Sequence, residues 1–267
     1  MAQKIAYLDC HSGISGDMLL GSLLDAGLPL ATLQDALMAL PLTSYEIRCA
    51  PYLDQGITGS RFEVIVHEQE QPARGFTAIA ALLQASTLPA HIRETAIAIF
   101  RTLGEAEAAI HGVSLDEIHF HEVGAVDSIV DIVGAVIASD ALGITQLYAS
   151  PLPFTRGHLR MAHGLMPVPA PATLKILSSV KAPWVPTSLE GELVTPTGAA
   201  ILATLARFEM PAIAIERVGY GFGQKRLIWP NCLRVCLGEP YETVEPPHNH
   251  HHHHHHRDHG DGPAEHA

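Results

Sequence analysis

Apolar and polar positions along this chain change period several times, and each change marks an element. Residues 4–9 (KIAYLD) form a short apolar run with the composition of a strand, ended by the small-residue turn HSGISG. Ser15 stands where a helix N-cap belongs. Asp17 falls in the first turn, Met18, Leu20, Leu23 and Leu24 supply a buried stripe, and Gly27 and Pro29 stop the helix. A second helix is predicted over 30–40, then strands over 45–53 and 57–67, the latter alternating as Phe62, Val64 and Val66. Residues 76–84 and 89–110 read as helices. The longer one places Ile92, Ala96, Ile99, Leu103, Ala106 and Ile110 three and four apart, which gathers them on one face.

An extended passage over 115–123 leads into a helix over 127–142 that carries Ile129, Val130, Ile132, Val133, Val136 and Ile137. The proline-rich stretch 151–171 reads as a long irregular connection. Helices over 172–178 and 196–205 follow, and then strands over 213–221 and 233–237. No internal repeat is evident. Strands and helices mix without a regular βαβ rhythm, which favours an α+β fold in one main globular domain over residues 1–242.

Composition bounds the function. Of 267 residues, 47% are hydrophobic and 16% charged, too apolar for a chain disordered over most of its length. The net charge of −12 argues against nucleic acid as a partner, since a phosphate-coating surface needs clustered Lys and Arg. No segment approaches the ~20 apolar residues of a membrane span, and Asp9 and His11 interrupt the N-terminal apolar run too early for a signal peptide. A cytoplasmic protein without membrane contact is expected. Cys10, Cys49, Cys232 and Cys236 are too few for a disulfide framework in a chain this long; Cys232 and Cys236, on a strand, would share a face about 13 Å apart. They are expected to be structural thiols.

Three constellations carry candidate chemistry. In Asp9-x-His11-Ser12-Gly13-Ile14-Ser15-Gly16-Asp17-Met18, a strand ends in a small-residue turn that opens a helix, so backbone N–H groups can face an anion. Ser12, Gly13, Ser15 and Gly16 are candidate phosphate contacts, and Asp9, His11 and Asp17 can bind metal or move protons. A capped tight turn is the plain alternative. In the second, His119-Phe120-His121-Glu122 precedes Asp127 and Asp131. His119 and His121 project from one face of an extended segment, Asp127 can cap the following helix, and Asp127 and Asp131 share a helix face. Nitrogen and oxygen donors at this density suit Ni, Zn, Fe or Mn; satisfied polar groups with a capping Asp127 are the alternative.

The third is dispersed. Arg156-Gly157-His158 and His163-Gly164 lie in the proline-rich stretch, a candidate lid or pocket wall. Glu190-Gly191-Glu192-Leu193-Val194-Thr195-Pro196-Thr197-Gly198 enters a helix with Thr195 as N-cap and Pro196 at the first position. An anion there and plain capping stay equally open. Gly219-Tyr220-Gly221-Phe222-Gly223, followed by Lys225 and Arg226, resembles a flexible anion-binding loop. No GxSxG element supports a hydrolase.

Residues 243–267 stand apart, holding ten of the eighteen histidines and no aliphatic pattern, so they read as a disordered tail. An affinity tag is one reading of the run. Histidine and aspartate enrichment on both sides of it, in His248, Asp258, His259 and Asp261, favours a native metal-binding segment. His250, His251, His252, His253, His254, His255 and His256 are its core ligands, suited to Ni, Zn, Cu or Co.

With these residues in view, the chain resembles the LarC family of nickel insertion proteins. The resemblance runs over about residues 4–240 and rests on LDCHSGISGDMLLGSLLDAG, HFHEVGAVDSIVDIVGA, SPLPFTRGH, HGLMPVPAPAT, EGELVTPTGAA and GYGFGQK, with a His-rich segment after them. It implies insertion of Ni2+ into pyridinium-3,5-bisthiocarboxylic acid mononucleotide, giving the nickel-pincer nucleotide cofactor of lactate racemase-type enzymes. The activity implied is that of a nickel chelatase, a cyclometallase of the lyase class, dependent on CTP with Mg2+ or Mn2+. Full-length members continue past the His-rich stretch into a domain associated with the metal–CTP site. That site is therefore expected outside this chain, which reads either as the first polypeptide of a split protein with a C-terminal partner chain or as a truncated product; a homo-oligomer is compatible with the pattern.

On these motif positions side-chain chemistry suggests roles. The tail would gather nickel and pass it to Asp9, His119, His121, Asp127 and Asp131, with the serine-glycine turn and Arg156 on the substrate phosphate. A base for the ring proton would come from His11, Asp17 or Glu122. Two competing classes are a non-catalytic nickel carrier or store that works through its tail, and a Mn2+-dependent phosphohydrolase.

Overall fold

The computed structural model describes residues 3–67, 74–120, 124–161 and 164–241. In chain order its elements are β1 (Lys4–Asp9), α1 (Gly16–Asp25), α2 (Leu30–Leu37), β2 (Tyr45–Asp54), β3 (Ile57–Val66), α3 (Phe76–Ala85) and α4 (Ala90–His111). Then come α5 (Val126–Ala141), β4 (Ile144–Ala149), β5 (Leu152–Arg156), β6 (His158–Met161), β7 (Gly164–Pro167) and α6 (Pro171–Ser179). The last are β8 (Trp184–Glu190), α7 (Pro196–Leu205), β9 (Ala206–Arg207), β10 (Ile213–Phe222) and β11 (Cys232–Pro240). Helices and mixed strands share one core, as expected for an α+β chain. The proposed tail, 243–267, lies outside the described residues.

Seven strands form the main sheet in the order β2-β3-β10-β11-β1-β4-β9. β1 pairs antiparallel with β11 and parallel with β4, so the sheet is mixed at its centre. Alternation along β1 sends Ala6 and Leu8 into the main core and Tyr7 and Asp9 to the opposite face. α1 packs on β3, β10 and β11, and α5 packs beside it against β3 and β4. α5 is buried along most of its length, with Ile129, Val130, Ile132 and Val133 all inaccessible, and α4 lies against it together with α7.

Glycine permits this layering. An added Cβ on Gly219 would strike the Ser22 carbonyl, one on Gly221 the Met18 carbonyl, and one on Gly21 would lie 3.0 Å from the Ser60 carbonyl. The backbones of α1, β10 and β3 are therefore nearly in contact. Asp25 fastens the far end of α1, accepting hydrogen bonds from the Tyr220 N–H (2.9 Å) and the Ser60 hydroxyl (3.2 Å). Residues 219–222, which read as part of a flexible anion-binding loop, instead belong to β10, and their glycines serve close helix–strand approach.

Three further expectations change. The stretch 151–171 is not an irregular connection: it contains β5, which pairs with β8, and the antiparallel pair β6–β7. Two of its prolines, Pro153 and Pro167, sit in small two-stranded pairs, where a missing N–H is tolerated. Ser15 occupies the N-cap of α1 without capping it, because its hydroxyl donates to Asp17 Oδ1. Asp127 is likewise not a cap; Ala125 holds that position in α5, and Asp127 lies in the first turn with its carboxylate on the Ser128 N–H (2.7 Å). Thr195 does cap α7, accepting from the Gly198 N–H at 3.1 Å, with Pro196 at the first position as the pattern predicts. Cys232 and Cys236 lie on β11, and all four cysteines are free thiols.

Gly221→Ala is expected to lift α1 off β10 and to cost about 2–3 kcal/mol as an overpacking change. Thermal unfolding followed by circular dichroism should show this as a drop of about 4–12 °C.

Candidate functional site

The turn after β1 is held from both sides. Gly13 N–H donates to the Cys10 carbonyl (2.7 Å), and the positive φ of +88° at Gly13 lets its backbone lie directly on Leu193. Ile14 N–H donates to the Leu193 carbonyl (2.9 Å), and Thr195 N–H returns a bond to the Ile14 carbonyl (3.1 Å). Ile14 and Val194 form an isolated parallel bridge, which sets the N-termini of α1 and α7 side by side. Two motifs about 180 residues apart in sequence thus become one wall.

α5 supplies the other wall. A Cβ on Gly16 would lie 2.5 Å from Asp131 Cβ and 2.6 Å from its Oδ2, so the absence of a side chain at residue 16 is what admits the Asp131 carboxylate. A cavity of about 370 Å³ opens there, lined by Ser15, Asp17, Asp127, Asp131, Thr197 and Gln224 among others. A neighbouring cavity of about 170 Å³ shares Ser15, Asp17, Thr195 and Gln224 with it and adds Lys225 and Asn231. The two are compartments of one acidic cleft.

The electrostatics of the cleft are set by burial. Asp131 Oδ1 is shielded from solvent and has no hydrogen-bond partner among the described residues. Burial, reinforced by the Asp17 and Asp127 carboxylates, holds its carboxyl well above the usual carboxylate range. Asp17 is also raised by burial, against the pull of the Ser15 hydroxyl, the Met18 N–H (2.9 Å) and the more distant Arg61. Arg61 lies over the Tyr52 ring, 3.6 Å from its centroid, and donates to the Gly223 carbonyl at 3.1 Å, which fixes the turn carrying Gln224 and Lys225. Lys225 donates to the Glu192 carbonyl, and its ammonium is lowered by burial.

The remaining candidates distribute differently. Asp9 and His11 line a separate cavity of about 480 Å³, in which Asp9 is paired with Arg234 and His11 stacks on Trp229. Ser12 is buried and its hydroxyl is engaged, donating to the Pro230 carbonyl (3.0 Å) and accepting from Trp229 Nε1 (3.0 Å). Arg156 is exposed on β5 and lines neither compartment of the cleft. His119 is exposed and bridges Gly75 ahead of α3, outside the cleft lining. His121, Glu122 and His163, with His250–His256, lie outside the described residues. Among the described residues no group of three or more His, Cys, Asp or Glu side chains stands close enough to hold a metal ion. Gln224, Asn231 and Trp229 escaped sequence reasoning as site residues; loop positions carry no periodic signal, whether exposed like Gln224 or buried like Asn231.

The raised Asp131 carboxyl links stability to pH. Its neutral form is favoured in the fold, so its contribution is complete below the unfolded carboxylate range and is lost as pH rises through the raised folded value. Asp131→Asn, which mimics the neutral acid, should match the wild-type melting temperature near pH 4 and rise progressively above it toward pH 8. Melting curves across pH check this, and a constant offset at all pH values would refute it.

A family model described as nickel insertion protein matches residues 6–259. A putative nickel insertion protein of Thermomicrobium roseum is 52% identical over 239 residues, covering 89% of this chain and 59% of the relative. A second, from Roseiflexus castenholzii, is 49% identical over 242 residues, covering 91% of this chain and 61% of its own length. The pyridinium-3,5-bisthiocarboxylic acid mononucleotide nickel insertion protein of Desulfitobacterium hafniense is 52% identical over 239 residues, covering 88% of this chain and 58% of its own length. The chain thus spans about three fifths of the length of these relatives. No solved structure matches it. No helix among the described residues is long and apolar enough to cross a membrane. With a family model matched over residues 6–259 and relatives about half identical along most of its length, the chain belongs to the nickel insertion protein family.

Proposed function

We propose that this chain takes part in inserting Ni2+ into pyridinium-3,5-bisthiocarboxylic acid mononucleotide, as a nickel chelatase of the lyase class acting in the cytoplasm. The carrying observation is the buried Asp131 carboxylate oxygen, left without a partner beside Asp17 and Asp127. A carboxylate cluster that repels itself when ionised is stabilised by a divalent cation, which supplies the missing positive charge. The printed name of the Desulfitobacterium hafniense relative supports nickel as that cation and the bisthiocarboxylic acid mononucleotide as its acceptor.

Asp127 and Asp131 hold nickel in this reading, joined by His121 and Glu122, which immediately precede α5 in the chain. The histidines of 248–266 gather the ion and raise its local concentration. As the carbon–nickel bond forms, the ring carbon gives up its proton and nickel remains divalent. Asp17, in the cleft, and His11, on the other side of the turn, are the groups offered as base. Lys225, in the adjoining compartment, is the cation available to a phosphate. The use of CTP with Mg2+ or Mn2+ is assigned to the two fifths or so of the relatives' length that lies outside the match.

A nickel carrier is the second reading, favoured by the ten histidines of the tail. Calorimetric titration with Ni2+ separates the two. Removal of residues 243–267 should lower the number of ions bound yet leave one site. Asp127→Asn with Asp131→Asn should weaken that site about 10-fold or more, the scale of losing metal-shell groups. Insertion, assayed with the unmatched portion of a relative added, should then fail in the double variant and persist at high nickel in the tail-deleted chain. Full insertion by the double variant would overturn this assignment, and its loss on tail deletion at every nickel concentration would favour the carrier. His119→Ala with His121→Ala tests whether imidazole completes the site.

A further inference from the structure

The 480 Å³ cavity on the other side of the turn is not used by the metal-holding cleft. It lies beyond the carboxyl ends of the adjacent parallel strands β1 and β4, at Asp9, His11 and Ser150, the usual place for a ligand crevice in such sheets. Its size falls within the range of about 300–1,000 Å³ typical of small-molecule sites.

Its chemistry is selective. Trp229 is locked by the hydrogen bond from its Nε1 to Ser12 Oγ (3.0 Å), whose own proton goes to the Pro230 carbonyl (3.0 Å). With its edge so engaged, the indole has its π face left to offer. The His11 ring lies 4.9 Å from it, tilted by 38°. Pro151, Pro153 and Pro186 make stiff apolar walls. The hydroxyl of Ser150 is engaged, accepting from Cys10 N–H (2.9 Å) and donating to the Pro151 carbonyl (2.9 Å). Among the described residues no Lys or Arg lines the cavity, and the one lining carboxylate, Asp9, is paired with Arg234. A phosphate finds no cation here. A flat ring finds aromatic faces, and a positively charged ring gains the attraction of indole for a cation.

We propose that the cavity formed by Asp9, His11, Trp229 and the proline walls is a subsite for a planar nitrogen-heterocyclic cation, the pyridinium ring of the substrate. The ring's identity rests on the function proposed above; the preference for a flat cation rests on the cavity alone. The nickel-holding carboxylates, in the cleft, and the ring subsite then flank the 10–16 turn as two separate cavities. His11 touches the ring face and is the nearer base for its proton.

The test uses the full chain and a nickel-free probe, 1-methylnicotinamide, a pyridinium with neither phosphate nor thiocarboxylate. Both tryptophans of the chain, Trp184 and Trp229, report by fluorescence quenching, with ligand-observed saturation-transfer NMR as a second readout. Saturable binding is expected with a Kd of about 1 mM, the affinity reasonable for so small a ligand. His11→Ala should weaken it about 5-fold by loss of one stacking face, while Trp184→Phe should leave a quenched signal from Trp229. Neutral nicotinamide should bind at least about 5-fold more weakly, as a cation–π preference requires. Unsaturable quenching, equal binding of nicotinamide, or unchanged affinity in the folded His11→Ala protein would overturn the subsite. Ring binding without nickel insertion would overturn the earlier reading alone; insertion with no ring binding at this cavity would overturn the subsite alone.

Discussion

The approach of α1 to the sheet governs the rest of this structure. Gly21, Gly219 and Gly221 let a helix and two strands meet backbone to backbone, where any side chain would separate them. That contact fixes the height of α1 over β10, and the Asp25 bonds to Tyr220 and Ser60 fix its far end. The N-terminus of α1 is thereby delivered to the same end of the molecule as the start of α5. Gly16 then completes the device, because only its bare backbone leaves room for Asp131. A core built of Leu, Ile and Val alone would tolerate small slides of α1; the glycine contacts do not.

The cost of this arrangement is electrostatic. Asp17, Asp127 and Asp131 are among the carboxylates lining one cleft, and Asp131 has a buried oxygen with no hydrogen-bond partner among the described residues. Burial and mutual repulsion both raise the Asp131 carboxyl, so the cleft carries a proton or needs a cation. Such frustrated groups persist where function requires them, since a hydrophobic replacement of similar volume would stabilise the fold. The cavity of His11 and Trp229 shows the opposite character, with its polar groups engaged and its aromatic faces open. Two cavities of unlike character thus flank one short turn.

Much of the fold was legible from period and punctuation. Met18, Leu20 and Leu23 on α1, and Ile129 through Ile137 on α5, are buried as their spacing predicts. Phe62 turns inward on β3, and Thr195 with Pro196 opens α7. The misses have a common cause. β6 is only four residues long, and β5, β7 and β8 each contain a proline, so neither alternation nor an apolar run announces them. The GYG glycines read as a loop because a glycine needed for close packing and one needed for a turn look alike in sequence. Ser15 and Asp127 suit a cap by residue type, yet a nearer partner, Asp17 Oδ1 for one and the Ser128 N–H for the other, takes the side chain.

By itself the sequence determined the fold class, the long helices, the family, and the stretches dense in carboxylate, hydroxyl and imidazole. These follow from local spacing and composition, which every residue carries with it. Only the tertiary structure decided which stretches meet. The bridge between Ile14 and Val194, the seat of Asp131 on Gly16, and the placement of Gln224 beside them join positions that local periodicity cannot relate. The same holds for the separation of Asp9 and His11 from the carboxylate cleft, although they share a motif with Asp17. Side chains a few residues apart on a sharp turn point to opposite sides of it, and only the packing around the turn settles which side each one serves.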